Sequence, residues 1–298
     1  MDMFRLPSPL EEISHHPGTQ DGIRIFIKRD DLIHPHISGN KWRKLKYNIE
    51  EAKKQQARLL ITAGGPWSNH LAATAAAGKI LGFKTLGLVR GTGYPSGNET
   101  LEFCQQQGMQ LVFVPKKEFE QIPQNMTKNI IDWMEAYFIP MGGGNELGIQ
   151  GCREIIDEID IPFDMICLPV GTGTTFMGVA GAAGGKQVWG FSAVKDDTQH
   201  SAELIEWVQS TSSVQLIYEY SLGGFARSAP ELENFIVDFY LQNKILLEPV
   251  YTGKMMYGLF DRIQKGQVQP GVSIVCIHTG GLQGLQGFPD LHRRLFTS

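Results

Sequence analysis

Met165-Ile-Cys-Leu-Pro-Val-Gly171-Thr-Gly-Thr-Thr-Phe-Met-Gly178 is the stretch whose reading decides the fold. Met165–Leu168 is apolar and too short for a helix, so it reads as a buried strand. Gly171-Thr-Gly173 then turns the chain, and the small residues that follow, as far as Gly184, read as a closely packed helix. Pro169 and the many Gly and Thr residues rule the whole apolar stretch out as a membrane span. Strand, turn and helix in that order are the repeating unit of a parallel sheet.

The unit recurs on both sides. Leu59–Ala63 runs into Gly64-Gly65, Thr85–Val89 into Arg90-Gly91, and Ser273–Ile277 towards Gly280-Gly281, while Gln110–Val114 stops at Pro115. Helical periodicity marks Trp42–Gln55, Leu71–Leu81, Glu99–Gln107, Lys117–Tyr137, Gln150–Glu158, Ala202–Gln209, Glu231–Asn243 and Lys254–Lys265. A mostly parallel sheet covered on both faces is therefore expected. Ligands of such sheets sit at the C-terminal ends of the strands, so the Gly-rich turns should build the site. Lys116–Gln124 and Gly142–Asn145 are candidate transitions between domains.

The 298 residues suffice for one large α/β domain or two modest ones. With 42% hydrophobic and 19% charged residues, a real core can form. The net charge of −4, without a basic stripe, argues against nucleic acid or an anionic membrane as the main partner. Cys104, Cys152, Cys167 and Cys276 lie far apart without a Cys-x-x-Cys pair, which fits a reduced, cytoplasmic setting. The first thirteen residues lack a basic segment leading into an apolar run, so no secretory signal is expected.

Five segments carry chemistry. The first joins Lys28-Arg29-Asp30-Asp31 to Ser38-Gly39-Asn40-Lys41-Trp42-Arg43-Lys44. Asn40 reads as a helix N-cap. Cations at 41, 43, 44 and 46 then crowd the wrong end of a helix dipole. They suit a solvated basic helix start, or else an anionic ligand beside a lysine held partly neutral for imine chemistry. The second, Trp67-Ser68-Asn69-His70, offers a hydroxyl, an amide and an imidazole where a small-residue helix begins; Ser68 or Asn69 could equally be its cap. In the third, Gly171-Thr172-Gly173-Thr174-Thr175, backbone amides and hydroxyls make a phosphate cradle. It is no P-loop, and Phe176 spoils a dinucleotide fingerprint. The fourth, Leu247-Glu248-Pro249-Val250-Tyr251-Thr252-Gly253-Lys254, places Tyr251 before a helix as a core aromatic or a crevice residue. The fifth is His278-Thr279-Gly280-Gly281. His34-Pro-His36 lacks companion ligands and reads as a loop, and Asp30-Asp31 reads as an ion-pair or capping element. No metal site is expected.

In this order and spacing the five segments resemble the 1-aminocyclopropane-1-carboxylate deaminase / D-cysteine desulfhydrase family of fold-type II pyridoxal phosphate enzymes. The resemblance covers nearly the whole chain. It implies two three-layer α/β/α domains with mostly parallel sheets and the cofactor in the crevice between them. The larger domain would comprise residues 1–46 and 152–298, and the smaller, inserted one 47–151. It implies pyridoxal 5′-phosphate as cofactor, held as a Schiff base by Lys41. Asn69 would bond the cofactor's phenolic oxygen, Gly171 to Thr175 would hold its phosphate, and Thr279 would face its pyridine nitrogen. Ser68 and Tyr251 would act on the substrate, in a pocket that also takes in Trp67, Asn69, His70 and Phe225. A homodimer acting on a small amino acid is expected.

The sequence departs from the pattern of the cyclopropane-opening branch. That branch carries Glu after the tyrosine and Leu before the final Gly-Gly, where this chain has Thr252 and Thr279. Neutral hydroxyls there resemble the desulfhydrase branch, so β-elimination from D-cysteine to pyruvate, ammonia and sulfide is the expected reaction. Ring opening to α-ketobutyrate and ammonia is the alternative. Trp67 replaces a polar residue, and Phe225 stands where the family has a second tyrosine. That loss also leaves open a non-catalytic binder of pyridoxal phosphate or another phosphate ligand.

Overall fold

The computed structural model describes residues 3–94, 97–122 and 135–296. Its strands are β1 Leu10–Ile13, β2 Arg24–Lys28, β3 Leu59–Gly64, β4 Lys84–Arg90, β5 Met109–Val114, β6 Ala136–Ile139, β7 Met165–Val170, β8 Gln187–Ser192, β9 Val214–Ile217 and β10 Ser273–Ile277. The helices are α1 Asn40–Lys54, α2 Asn69–Leu81, α3 Glu99–Gln106, α4 Lys116–Phe119, α5 Glu146–Asp157, α6 Thr174–Ala182, α7 Ala202–Ser210, α8 Pro230–Asn243, α9 Thr252–Gln264 and α10 Pro289–Phe296. Most of the helix predicted over Lys117–Tyr137 lies outside the described residues.

Two sheets form. One has the order β1-β2-β10-β7-β8-β9, the other β5-β4-β3-β6. Every pairing is parallel except β1 with β2. The period-2 alternation of strand side chains divides the larger core into two layers. Ile25, Ile27, Cys167 and Phe191 face α8, α9 and α10. Phe26, Ile166, Leu168 and Val188 face α5, α6 and α7. The four-stranded sheet packs Leu60 and Ile139 on α1 and α2, where Ala73, Ala76 and Ala77 allow close approach.

Strand β7 continues past the predicted end through Pro169. Proline removes a ladder hydrogen bond and is normally excluded from central strands. Pairing of β10 with β7 stops at Cys167, so Pro169 has a partner only on the β8 side, at Phe191. Strands β1, β2, β6, β8 and β9 have no counterpart among the predicted runs. All four cysteines are free and buried, and no described helix is long and apolar enough to cross a membrane.

A buried ionic cluster joins β2, α1 and the end of α5. Arg43, wholly buried, donates Nε and Nη2 to the Asp30 carboxylate and Nη1 and Nη2 to Glu158. Lys28, also wholly buried, donates to Glu158 at 2.8 Å and to the Ser8 carbonyl at 2.6 Å. Burial pushes the Glu158 carboxyl up, but hydrogen bonds from Arg43 and Lys28 prevail and bring it to about 2. Two cations and two carboxylates balance, and nearly every polar position is filled. The acidic pair Asp30-Asp31 thus serves ion pairing, as its sequence suggests; Asp31 pairs with Arg29 at 2.8 Å.

Arg43→Ala is expected to strand the Asp30 and Glu158 charges in the core and to cost about 3–5 kcal/mol. Denaturant unfolding checks this; a loss under about 1 kcal/mol, the size of a surface pair, would contradict it.

Candidate active site

The site lies where the two sheets point their strand ends at each other. Ser38-Gly39-Asn40 crosses directly over Thr279-Gly280, and the Asn40 amide donates to the Thr279 carbonyl at 3.2 Å. Gly39 has φ of +65°, and a Cβ there would stand 1.9 Å from the Thr279 carbonyl oxygen, so only glycine lets the two turns cross. This crossing sets the start of α1. The cap residue of α1 is Gly39, which makes no side-chain bond, and not Asn40 as expected. Asn40 is instead the first helical residue, and its side chain is a bridge. Its Nδ2 donates to Thr175 Oγ1 at 2.9 Å, and its Oδ1 accepts from Lys41 Nζ at 2.7 Å.

Lys41 therefore reaches the threonine-rich turn through one side chain. Burial, and then the charge of Lys44, lower its amine from the usual range to about 7, against the opposing pull of Cys152 and Glu248. A cavity of about 130 Å³ opens beside it, walled by Asn69, Ser38, Asp31 and Gly281. Lys44, one turn along α1, is buried, and burial lowers its amine too. No carboxylate pairs with Lys44 among the described residues.

The turn after β3 supplies the opposite wall. Ser68 caps α2 by accepting from the Leu71 amide at 3.3 Å, so its hydroxyl has a structural duty. Asn69 Oδ1 is buried with no hydrogen-bond partner. Neither ring nitrogen of His70 has a partner of good geometry, and the residue is 2% exposed. Burial, with Lys41 and Lys44 nearby, holds His70 well below the usual imidazole range, the Pro140 carbonyl working the other way. His70 is thus a neutral ring beneath the lysines rather than at the open mouth. Trp67 is about half exposed.

Gly171-Thr-Gly173 leads into α6, with Gly173 in the left-handed region. The Thr172 and Thr174 hydroxyls lie 3.2 Å apart. The ring of Tyr251 leans on this turn: a Cβ on Gly171 would come within 3.3 Å of the tyrosine oxygen. Burial, then Glu248, raise the Tyr251 phenol above its usual range, so it keeps its proton. Phe225 touches Tyr251 edge-on, ring centroids 5.9 Å apart. Thr279 is buried at the end of β10. Of the residues singled out, Lys41 and Asn69 line one cavity, Asn40 ties Lys41 to Thr175, Tyr251 rests on Gly171 and Phe225 on Tyr251, and Thr279 lies under Gly39; among the described residues, neither Trp67 nor the Ser68 hydroxyl touches these groups.

Three further residues and a glycine turn, none of them given a part in the site by the sequence, join them. Asn40 and Lys44 are described above. Glu248 accepts from the amides of Val250, Tyr251 and Thr252 and from the Thr252 hydroxyl, which clamps the start of α9. Burial drives its carboxyl up against those bonds, to about 7. A carboxylate two to four residues before a helix start is a capping signal that the sequence does carry. The glycines 142–144 are the fourth element: a Cβ on Gly143 would collide with Lys44, and one on Gly142 would press on Thr172.

These residues suit pyridoxal phosphate. A phosphate demands positive charge and free amides, and a helix N-terminus with a carboxylate-free Lys44 nearby provides them. An aldehyde demands a neutral amine, and Lys41 is close to neutrality. The unpartnered Asn69 amide oxygen awaits a polar ligand.

Comparison with known proteins agrees. A model of the family described as pyridoxal-phosphate dependent enzymes matches residues 2–280. The chain is 31% identical to a bifunctional D-cysteine desulfhydrase/1-aminocyclopropane-1-carboxylate deaminase of Arabidopsis thaliana, over 95% of this chain and 78% of that one. It is 28% identical to a D-cysteine desulfhydrase of Klebsiella pneumoniae, over 96% and 94%. A crystal structure described as an ACC deaminase homologue superposes with a TM-score of 0.80 at 27% identity, over 99% and 96% of the two chains. The order of the motifs and the two mostly parallel sheets with a buried lysine at their junction agree with that match, and this chain is a member of the pyridoxal-phosphate dependent enzymes.

Proposed function

We propose that this enzyme is a lyase that eliminates the β-substituent of a small amino acid, with D-cysteine as the leading substrate and pyruvate, ammonia and sulfide as products. The observation that carries the reading is the Lys41 amine, poised near 7 at the end of the Gly171–Thr175 turn. Bound pyridoxal phosphate supplies an electron sink that acidifies the substrate Cα–H. Lys41 would hold that cofactor and, once released, act as general base at Cα. Lys44, with the amides and hydroxyls of Gly171 to Thr175, would carry the phosphate. Asn69 would bond the phenolic oxygen, and Thr279 would face the ring nitrogen with a hydroxyl that cannot firmly protonate it. Tyr251, protonated, would donate to the leaving group or the substrate carboxylate, and Ser68 would act on the same substrate.

Desulfhydration is preferred over cyclopropane opening because no acid stands at position 252. The Thr252 hydroxyl is tied to Glu248, donating to its carboxylate and accepting from its amide at 3.0 Å. The second reading, 1-aminocyclopropane-1-carboxylate deamination, is favoured by relatives named for it, among them a putative deaminase of Pyrococcus horikoshii at 31% identity. The same proposal takes residues 1–46 and 152–298 as the larger domain and 47–151 as the smaller, supported by the way the two sheets divide the chain. It places a homodimer in the cytoplasm, which free buried cysteines suit.

Purified enzyme offered D-cysteine, L-cysteine and 1-aminocyclopropane-1-carboxylate is expected to release pyruvate and sulfide from the first. α-Ketobutyrate formed at comparable efficiency would move the assignment to the deaminase. Holoenzyme should show an absorbance band at the edge of the visible that Lys41→Ala abolishes; a band surviving that change would remove Lys41 from its role.

The rate of cofactor uptake by apoprotein should fall as pH drops through about 7, since the lowered amine is neutral above that point and charged below it. An ordinary lysine would show the fall near 10.4. Lys44→Met removes the positive neighbour and should move the midpoint upward. A midpoint that stays put would show that Lys44 does not act on Lys41.

A further inference from the structure

The loop between β9 and α8 carries Phe225 in a costly conformation. Leu222, Gly223, Gly224 and Ala226 have φ of 50°, 89°, 110° and 54°. Two of these are not glycine, and left-handed backbone at Leu or Ala persists only where the surroundings impose it. The amides of Gly224 and Arg227 bond back to the Ser221 and Gly224 carbonyls. The constraint from outside comes from Lys254 on α9. Its side chain is wholly buried, and Nζ donates to the Ser221 and Gly224 carbonyls, both at 2.7 Å. No carboxylate lies within ion-pair distance of it among the described residues. Burial lowers its amine to about 8, the Glu248 charge opposing. An ammonium in the interior with carbonyls for company is expensive to bury, and here it fixes one short loop.

Lys254 follows Tyr251, the cap position of α9, by three residues, so both stand in the first turn of that helix. The loop wound on Lys254 is thereby delivered to Tyr251, where the Phe225 ring meets the phenol at 69° with its centroid 5.9 Å away. Phe225 keeps about half of its surface exposed. Its ring offers no donor or acceptor, so covering it with a hydrocarbon is favourable and covering it with a thiol much less so.

We propose that Lys254 is a positioning residue that holds Phe225 on Tyr251, and that the resulting apolar wall favours amino acids with an apolar β-substituent, such as S-alkyl-D-cysteines. The specificity half rests on the lyase reading; the clamp does not. Elimination from such a substrate breaks the Cβ–S bond. The Cα proton leaves, the thiolate is protonated to an alkanethiol, and hydrolysis with one water yields pyruvate and ammonia.

The test uses holoenzyme as wild type, Lys254→Met, Phe225→Ala and the double variant. Pyruvate release from D-cysteine and from S-propyl-D-cysteine gives kcat/KM for each, and hydrogen exchange is followed at the amides of 221–227. Wild type should prefer the propyl thioether by about tenfold or more, the discrimination that even one methylene against an apolar wall gives. Each single variant should lose that preference, and the double variant should lose no more than either. Exchange at Gly224 and Arg227 should quicken in Lys254→Met while the sheet amides stay protected. Unchanged exchange in the loop would overturn the clamp. Additive losses, or a preference indifferent to both changes, would overturn the wall. Should Lys254→Met fail to fold, Lys254→Arg, which keeps the donors on a longer stem, should shift the preference and the loop exchange in the same direction, and no shift would overturn the proposal. Wild type that releases no pyruvate from any substrate would sink the lyase reading, while the exchange data would still decide the clamp.

Discussion

The placement of one helix start governs this molecule, and the Arg43 guanidinium governs that placement. It lies between Asp30, just beyond β2, and Glu158, just beyond α5, filling both carboxylates. Neither sheet alone contains this cluster; it welds α1 to the six-stranded sheet while the far side of α1 packs on the four-stranded one. Paired burial of this kind contributes little net stability over an apolar core, but breaking it is costly. Its consequence is geometric: with Arg43 pinned, Lys41 two residues earlier has one direction to point.

That direction leads into a region with an excess of positive charge. The starts of α1, α6 and α9 gather there, each a partial positive pole. Lys41 and Lys44 add amines, and His70 stays neutral chiefly because it is buried, with the two lysines working in the same direction. Water is largely excluded, so these effects are strong. Burial first, and for Lys41 the charge of Lys44 after it, lowers the lysine amines, which is the condition imine chemistry requires; the same region favours an anion. The buried Glu248 carboxylate is spent on capping α9 and on fixing the Thr252 hydroxyl. Chemical character here comes from how the local charge is shared, not from any one residue.

Much of this could be read in the chain. Apolar runs ending at glycine located β3, β4, β7 and β10, and one ending at Pro115 located β5, because a strand buried on both faces needs continuous apolar residues and a turn needs glycine or proline. Edge or amphipathic strands escaped: Leu10–Ile13 carries two glutamates and Val214–Ile217 a glutamine, and their pairing depends on neighbours distant in sequence. Asn40 was read as a cap because caps and helical asparagines share a local pattern; only the approach of Thr175, 135 positions away, gives it another task. Glu248 and Lys254 stood in a segment already of interest, but their partners are carbonyls and amides that no pattern of side chains marks.

By itself the sequence determined the α/β class, the five site segments and their family order, and so the cofactor, because these depend on residue types at short spacing. The tertiary structure alone decided which of three neighbouring cations is a structural ion, which is reactive and which faces an anion. Arg43, Lys44 and Lys41 differ little in local pattern; what separates them is the presence of Asp30 and Glu158 on one side of α1 and their absence on the other. Charge state follows from surroundings, and surroundings exist only once the chain has folded.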